Sequence, residues 1–516
     1  MSNTIQVDLS PEQLADAAAV RRAVVVAEGV PLRVVRRSID CRRRQVLYHL
    51  VVEVGAPTDA PLASTGPSER PTPHGDSHAA QIVIVGSGPA GLFAALRAIE
   101  LGMRPLIVER GRPVEQRRRD VAALARTGVV DPDSNWCFGE GGAGTFSDGK
   151  LYTRSTKRGD VGAVLQRFVD HGADPDIMVD VHAHIGTDRL PAIIARMRAT
   201  IEAAGGEYRF GERVVDLVVR EGRVEGVVTA AGAEYLGDAV ILATGHSARD
   251  IYALFQQHAW RLEAKPFALG VRVEHPQELI NSIQYHGKDY SPLLPPATYS
   301  LAAQAGTHGV FSFCMCPGGV IVPAATAPGE QVVNGMSNSR RNSPWANSGI
   351  AVTVSPSDVG ADGKDPLVLL DFQRQVERSV FHAAGDRVAA PSQRLADFLR
   401  RRISPSLPRS GYLGHTVSYP LHELLPPFVV ESLTEGFRLF DRKMHGFAGN
   451  DALLLAVESR TSSPVRIPRD RETLQHPQLQ GLYPCGEGAG YAGGIVSSAL
   501  DGIRCVEHCY AMRGSL

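Results

Sequence analysis

The chain has 516 residues, too many for one hydrophobic core, and reads as two or three domains. A hydrophobic share of 43% and a charged share of 21% are ordinary for a globular protein, and a formal net charge of -1 offers no field for nucleic acid or an anionic membrane. No apolar run reaches the roughly 18 residues of a membrane helix, the N-terminus lacks the basic and apolar parts of a secretory leader, and an odd set of seven scattered cysteines suits reduced thiols, so a cytoplasmic location is expected.

Residues 1–55 read as a small α+β module. Ser10, Pro11 and Gln13 have the spacing of a capping box before a short helix, and two strand-like runs follow, LRVVRRSID and QVLYHLVVEV, joined by CRRR. The pattern suits half of a ferredoxin-like unit, with Arg36, Arg37, Arg42, Arg43 and Arg44 as a solvated turn. Residues 56–79 carry five prolines and no apolar period, and read as a linker that leaves few contacts between the module and the rest.

The run QIVIV at 81–85 has the character of a buried parallel strand. Gly86-Ser87-Gly88-Pro89-Ala90-Gly91 follows at once, then a helical LFAALRAIELG, then RPLIVE ending at Glu109, with Arg110 next. Strand, GxGxxG, helix, strand and acid in this order are the dinucleotide-binding fingerprint. Gly86 permits the tight turn, Gly88 lets the backbone approach a pyrophosphate, Gly91 lets helix pack on strand, and the helix N-terminus faces the anion. Glu109 is expected to accept hydrogen bonds from a ribose diol.

Three later features separate FAD from NAD. FGEGGAGTFSDGK at 138–150 is dense in glycine, which suits a backbone running against a flat or anionic group, and places Gly142, Gly144 and Ser147 at the cofactor. Residues 213–245 alternate as a β-meander and end in AVILATG, which points Thr244 and Gly245 at the cofactor and puts Val214 by the adenine. Near the C-terminus, Gly486-Glu487 follows a short strand, and Gly493-Gly494-Ile495 opens a helix whose N-terminus suits negative charge on a flavin. Residues 488–493 also spell GxGxxG, but no strand–helix–strand–acid unit follows.

Cys314-Met315-Cys316 reads as core packing: in a strand the two cysteines share a face, and neither a CxxC spacing nor a histidine pair supports a redox or metal role. No metal ligand set is expected. His246, directly after Ala243-Thr244-Gly245, is a candidate general base or a residue packed on the cofactor. Arg460 in ESRTSSP is a candidate flavin-edge or anion contact, or one half of an interface salt bridge.

Together these blocks resemble the uncharacterised FAD-dependent dehydrogenases related to the glutathione-reductase-type superfamily. The resemblance runs from about residue 32 to 505 and includes RRSIDCR, GSGPAGLFAA, FGEGGAGTFSDGKLYTR, ATGHSARD, AKPFALGVRVEHPQ, FCMCPGG, NGMSNSR, ESRTSSPVRIPRD and PCGEGAGYAGGI. It implies an α/β protein: a discontinuous Rossmann-type FAD-binding domain at 80–250 and 455–516, with an inserted α+β substrate domain at 251–454. It also implies non-covalent FAD, held at Gly86, Gly88, Gly91, Glu109, Gly486, Glu487, Gly493 and Gly494. Glu487 stands where many relatives carry Asp.

The expected function is a dehydrogenase or reductase for a small organic metabolite, with NAD(P)H as a transient reductant, or a redox partner protein, or a homo-oligomer among the open alternatives. A flavin monooxygenase is the second reading. An RNA-modifying flavoprotein is weaker, since basic and aromatic residues do not interleave.

Overall fold

A computed structural model describes residues 3–16, 18–26, 29–55, 79–153, 158–385 and 387–513. The expected linker, apart from Ala79, lies outside them.

The apolar run Gln81–Val85 forms the middle strand of a five-stranded parallel sheet. Arg104–Glu109 and then Glu207–Phe210 lie on one side; Ala239–Leu242 and then Leu482–Pro484 lie on the other. Such strands are continuous apolar runs because helices cover the sheet. The covering helices include Pro89–Glu100 and the C-terminal Ile495–Arg513. These two approach so closely that a Cβ on Gly502 would lie 2.1 Å from the carbonyl oxygen of Ala90. Residues some 400 apart in sequence thus build one domain, as expected. The meander is Val214–Arg220, Arg223–Thr229 and Glu234–Leu236, all antiparallel.

The inserted domain is a seven-stranded mixed sheet. Its strands in order are Ala302–Ala305, His308–Cys316, Trp345–Val354, Phe267–Pro276, Leu453–Glu458, Ala389–Arg394 and His415–Ser418. The helices Val368–Ala383 and Pro427–Lys443 are amphipathic and bury Leu369, Val376, Val430, Leu433 and Phe437 in this domain's apolar core. The expected boundary at 454 falls inside the buried strand Leu453–Glu458, which pairs on both sides within the inserted sheet. The chain therefore leaves that sheet only after Glu458.

In the N-terminal module the capping box is present: the Gln13 N–H donates to Ser10 Oγ at 3.2 Å and the Ser10 N–H to Gln13 Oε1 at 2.8 Å. The expected hairpin is Leu32–Asp40 and Leu47–Val54, and a further strand, Asn3–Leu9, pairs on its other side. Arg36, Arg42, Arg43 and Arg44 are exposed, as a solvated turn requires. Arg37 is not: its guanidinium donates to Asp180 at 2.6 Å and to Asp176 at 2.6 Å, while its backbone exchanges hydrogen bonds with Val179 and Val181. His286 bonds the carbonyl of Cys41, and Val46 is buried in the core of the inserted domain. The expectation of few contacts is thus corrected: the module clamps onto both other domains through its hairpin.

Candidate active site

The fingerprint glycines do separate jobs. Gly86 leaves the central strand at φ +99°, and a Cβ there would lie 2.5 Å from Ala243 O. A Cβ on Gly91 would lie 1.9 Å from Gly86 O, so this glycine serves helix–strand packing. Gly88 caps the helix without a side chain, and its Cα faces Gly142 of the second glycine loop, whose Cβ would lie 3.0 Å away. The two loops meet backbone to backbone and leave the first-turn N–H groups of the helix toward the space between them.

That space is a cavity of about 660 Å³, in the size class of cofactor and ligand sites. Gly86, Gly88, Pro89, Ala90, Glu109, Arg110, Gly142, Gly144, Ser147, Val214, Thr244, Gly245, Gly486, Glu487, Gly493, Gly494, Ile495, His246 and Arg460 all line it; Gly91 lies behind the wall. At one end stand Glu109, Arg110 and Val214; at the other, the cavity reaches the inserted sheet.

At the C-terminal motif, Gly486 turns at φ +74° and its N–H donates to Asp501 at 2.8 Å. Arg469 anchors that acid at 2.6 Å and reaches Cys505 Sγ at 3.3 Å, so the group Cys485, Asp501 and Cys505 already holds a cation from the protein itself. Glu487 then projects toward His246, with Oε2 3.2 Å from Nδ1. The other ring nitrogen, Nε2, is buried with no partner. Cβ atoms on Gly493 or Gly494 would meet nothing within 4 Å. The helix that follows makes its first i to i−4 bond from the Ser498 N–H to Gly494 O, leaving the preceding N–H groups without intrahelical partners.

Two candidates have their hydrogen-bonding groups engaged by the protein itself. Arg460 borders the cavity, but its guanidinium is occupied: it donates to Glu377 at 3.0 Å, Glu330 at 3.1 Å, Ser247 at 2.9 Å and Thr326 at 2.7 Å. Arg249 joins the same cluster through Glu330, Glu377 and Gln373, each at 2.8 Å. Burial opposes ionisation of Glu377, yet the two arginines outweigh it and hold this carboxyl at about 2. Of the two roles open to it, Arg460 therefore has the interface salt bridge: it is a structural ion-pair residue between domains, and its guanidinium is not free for catalysis. Glu109 has all four of its acceptor positions used by the protein: the Ser87 N–H and hydroxyl, each at 2.8 Å, the Gly111 N–H at 2.9 Å and the Gly139 N–H at 3.1 Å. It ties the two glycine loops together, and a ribose diol can reach it only by sharing these bonds. Arg110 stacks over Phe138 at 4.1 Å and pairs with Asp133 and Asp250.

Sequence reasoning missed Lys150, Tyr152, Asn334 and Cys314, which line the far end of the cavity. Lys150 and Tyr152 lie in the GKLYTR stretch beside the glycine loop, and Asn334 opens NGMSNSR. Those blocks carried the signal; what was missing was the fold that brings them together. The cysteines differ from the expected shared face: Cys316 is buried but Cys314 lies on the cavity wall at φ +46°.

The residues fit a flavin dinucleotide. The wall is bare of side chains where Gly493 and Gly494 open to it, two helix N-termini face it, and His246 Nε2 is an unsatisfied buried group within it.

Comparison with known proteins agrees. Residues 80–256 match the family model of pyridine nucleotide-disulphide oxidoreductases, residues 266–461 that of the FAD-dependent protein C-terminal domain, and residues 1–55 a domain of unknown function. An uncharacterised protein of Clostridium beijerinckii is 43% identical over 434 residues, 83% of this chain and 80% of its own. Among solved structures, a geranylgeranyl bacteriochlorophyll reductase-like protein of Thermoplasma acidophilum is 12% identical with a TM-score of 0.35, covering 85% of this chain and 79% of that one. The tetracycline destructase Tet(51) is 10% identical with a TM-score of 0.34 (84% and 83% covered), and CtdE in complex with FAD 11% with 0.31 (83% and 82%). Likenesses this weak carry no argument about this chain. The family matches and the extended identity to the clostridial protein do: this chain belongs to an uncharacterised family of FAD-dependent oxidoreductases.

Proposed function

We propose that this protein is a dehydrogenase or reductase for a small organic metabolite, which binds at the end of the cavity bounded by the inserted sheet. The observation that supports this most directly is the continuity of the cavity. It runs from the two glycine loops to Lys150, Tyr152, Phe313 and Asn334 without an intervening wall, so one space takes both cofactor and substrate. Bound FAD supplies two-electron hydride chemistry; the protein supplies position and protons. The glycine loops, tied together by Glu109, would hold the ADP half, and Gly486, Glu487 and Gly493–Ile495 the flavin half.

His246 is the proton-handling group in this reading. Glu487 holds Nδ1, which orients the ring, and leaves Nε2 to take or give the proton that accompanies hydride transfer. Among the described residues the inserted domain is a mixed sheet and contains no second parallel dinucleotide unit. A nicotinamide reductant would therefore visit the same cavity transiently, or the metabolite itself would reduce the flavin.

The test is anaerobic bleaching of the flavin absorbance by a metabolite panel, alongside NADPH and NADH, followed by oxygen uptake. Bleaching by a metabolite alone supports a dehydrogenase. NADPH oxidation with oxygen consumed in step with a hydroxylated product would replace this reading by a monooxygenase. His246→Gln should slow bleaching by about 100-fold or more with flavin retained; unchanged bleaching would remove His246 from the chemistry.

A further inference from the structure

The strand His308–Cys316 follows its neighbour Trp345–Val354 in register as far as Phe313 opposite Gly349, and resumes with Cys316 opposite Asn347. Three steps on one strand oppose two on the other, which is a β-bulge, and bulges re-aim side chains beside active sites. Here the bulge takes Cys314 to φ +46°, a left-handed conformation that costs a non-glycine residue about 1 kcal/mol or more. Cys314 thereby reaches the cavity wall while Cys316 stays buried.

The surroundings of these sulfurs are built, not incidental. Lys150, from the end of the second glycine loop, places Nζ 3.8 Å from Cys314 Sγ and 3.9 Å from Cys316 Sγ, and also bonds Met315 O. Arg272, wholly buried, donates to Cys314 O at 2.6 Å and lies 3.6 Å from Cys316 Sγ, with Glu458 on its other side. The Cys316 thiol donates to Cys314 O at 3.3 Å. The remaining titratable groups nearby are Asp148, 3.8 Å from Lys150, Arg341, which pairs with Asp148 at 3.0 Å, and His184, which burial and Arg341 hold toward its neutral form. Three cations (Lys150, Arg272, Arg341) thus stand against two carboxylates (Asp148, Glu458), leaving an excess positive charge that a thiolate would balance. A cysteine that only packs a core needs neither a strained backbone nor an ammonium aimed at its sulfur.

We propose that Cys314 is a nucleophilic thiolate presented to the cofactor cavity, with Lys150 as its counter-ion, and that it bonds covalently to a soft electrophilic carbon entering beside the flavin. The neighbouring Cys316 thiol and the charges of Lys150 and Arg272 hold the Cys314 thiol well below the ordinary range, against the opposing effect of burial, and Cys316 is pushed the other way. In the bond-forming step the sulfur lone pair makes the S–C bond as the bond from carbon to its leaving group breaks. The leaving group departs with the electron pair of the broken bond, and Lys150 keeps its proton.

The proposal rests on the reading of this cavity as cofactor and substrate site, and its test is chosen to fail independently of that reading. Flavin-loaded protein is treated with iodoacetamide between pH 5 and 9, and the labelled peptides are found by mass spectrometry while flavin absorbance is followed in the same samples. Cys314 should react first, with loss of iodide and a half-maximal rate more than one pH unit below the ordinary thiol value of about 8.5. Lys150→Met should raise that half-point by about one unit and slow labelling near pH 6.5 by about tenfold, and Lys150→Arg should restore most of it. Cys316→Ala, which removes the neighbouring thiol, should also raise it and serves where Lys150→Met does not fold. An ordinary thiol profile at Cys314, no labelling in fully flavin-loaded protein, or a profile indifferent to both substitutions in folded protein would overturn the proposal. A low half-point in protein that binds no flavin would leave the thiolate standing and remove the cofactor reading instead.

Discussion

Residues 86–91 and 488–493 are two of the three stretches that spell GxGxxG, the other being 139–144, and these two share letters but not physics. In the first, Gly86 and Gly91 are demanded by the protein: Cβ atoms would lie 2.5 Å from Ala243 O and 1.9 Å from Gly86 O. In the second, Gly488 is demanded likewise, 2.7 Å from Gly245 O, but Gly493 and its neighbour Gly494 have open space where a side chain would be. A glycine required by backbone contact is architectural, and a glycine facing emptiness at a cavity is reserved for whatever fills it. The same division separates the charged residues of the wall. Arg460 and Glu109 have their hydrogen-bonding groups taken up by the protein, whereas His246 keeps one ring nitrogen unpartnered.

Substitutions on the two sides of this division should behave oppositely. The largest loss is expected for Arg460→Ala, which leaves Glu330 and Glu377 buried with only Arg249 to match them. Stability should fall by about 3–5 kcal/mol, read by denaturant unfolding. A change below 1 kcal/mol would show that the cluster is not what joins the domains. Gly91→Ala should cost about 3 kcal/mol, since the clash is with backbone that cannot turn aside, and flavin should be lost only in proportion to folded protein. Loss of flavin from a fully stable Gly91→Ala protein would move this glycine to the ligand side.

Glu109→Ala removes the acceptor for N–H groups in both glycine loops, and should weaken flavin retention by about 1–3 kcal/mol, measured by flavin release on dilution. Because Glu109 binds the loops directly, thermal stability of the apoprotein should fall as well; retention lost with apoprotein stability unchanged would assign Glu109 to the ribose alone. The smallest effect on the fold is expected for Gly494→Val, within about 0.5 kcal/mol of wild type for the apoprotein. Its effect on the cofactor should be large: either flavin is expelled, or the retained flavin has a lowered reduction potential because the helix N-terminus no longer approaches it. Full occupancy at an unchanged potential would erase the distinction between the glycines of 86–91 and those of 488–494.

The legible part of the molecule was the part in which neighbours in sequence are neighbours in space. Strand, glycine turn and helix at 81–100 follow from the local sterics of Gly86 and a continuous apolar run, and the capping box at Ser10 is a matter of three residues. The division of the FAD domain across the ends of the chain was also readable, because Leu482–Pro484 and the Gly486-Glu487 turn carry their own motif. The docking of the module at 1–55 is not legible in the sequence, because a proline-rich stretch says nothing about what lies across from Arg37, whose partners Asp176 and Asp180 stand far along the chain.

By itself, then, the sequence determined the cofactor class, the Rossmann half-units and the positions at which backbone must come close to a ligand, since these depend on φ, on absent Cβ atoms and on helix ends. The tertiary structure alone decided which charges are occupied and which are available. Arg460 became structural because Glu330 and Glu377 were folded against it, and Cys314 left the core because a single extra residue in its strand shifted the register. A charge or a thiol takes its character from partners within about 4 Å, and those partners are chosen by the fold, from distant parts of the chain.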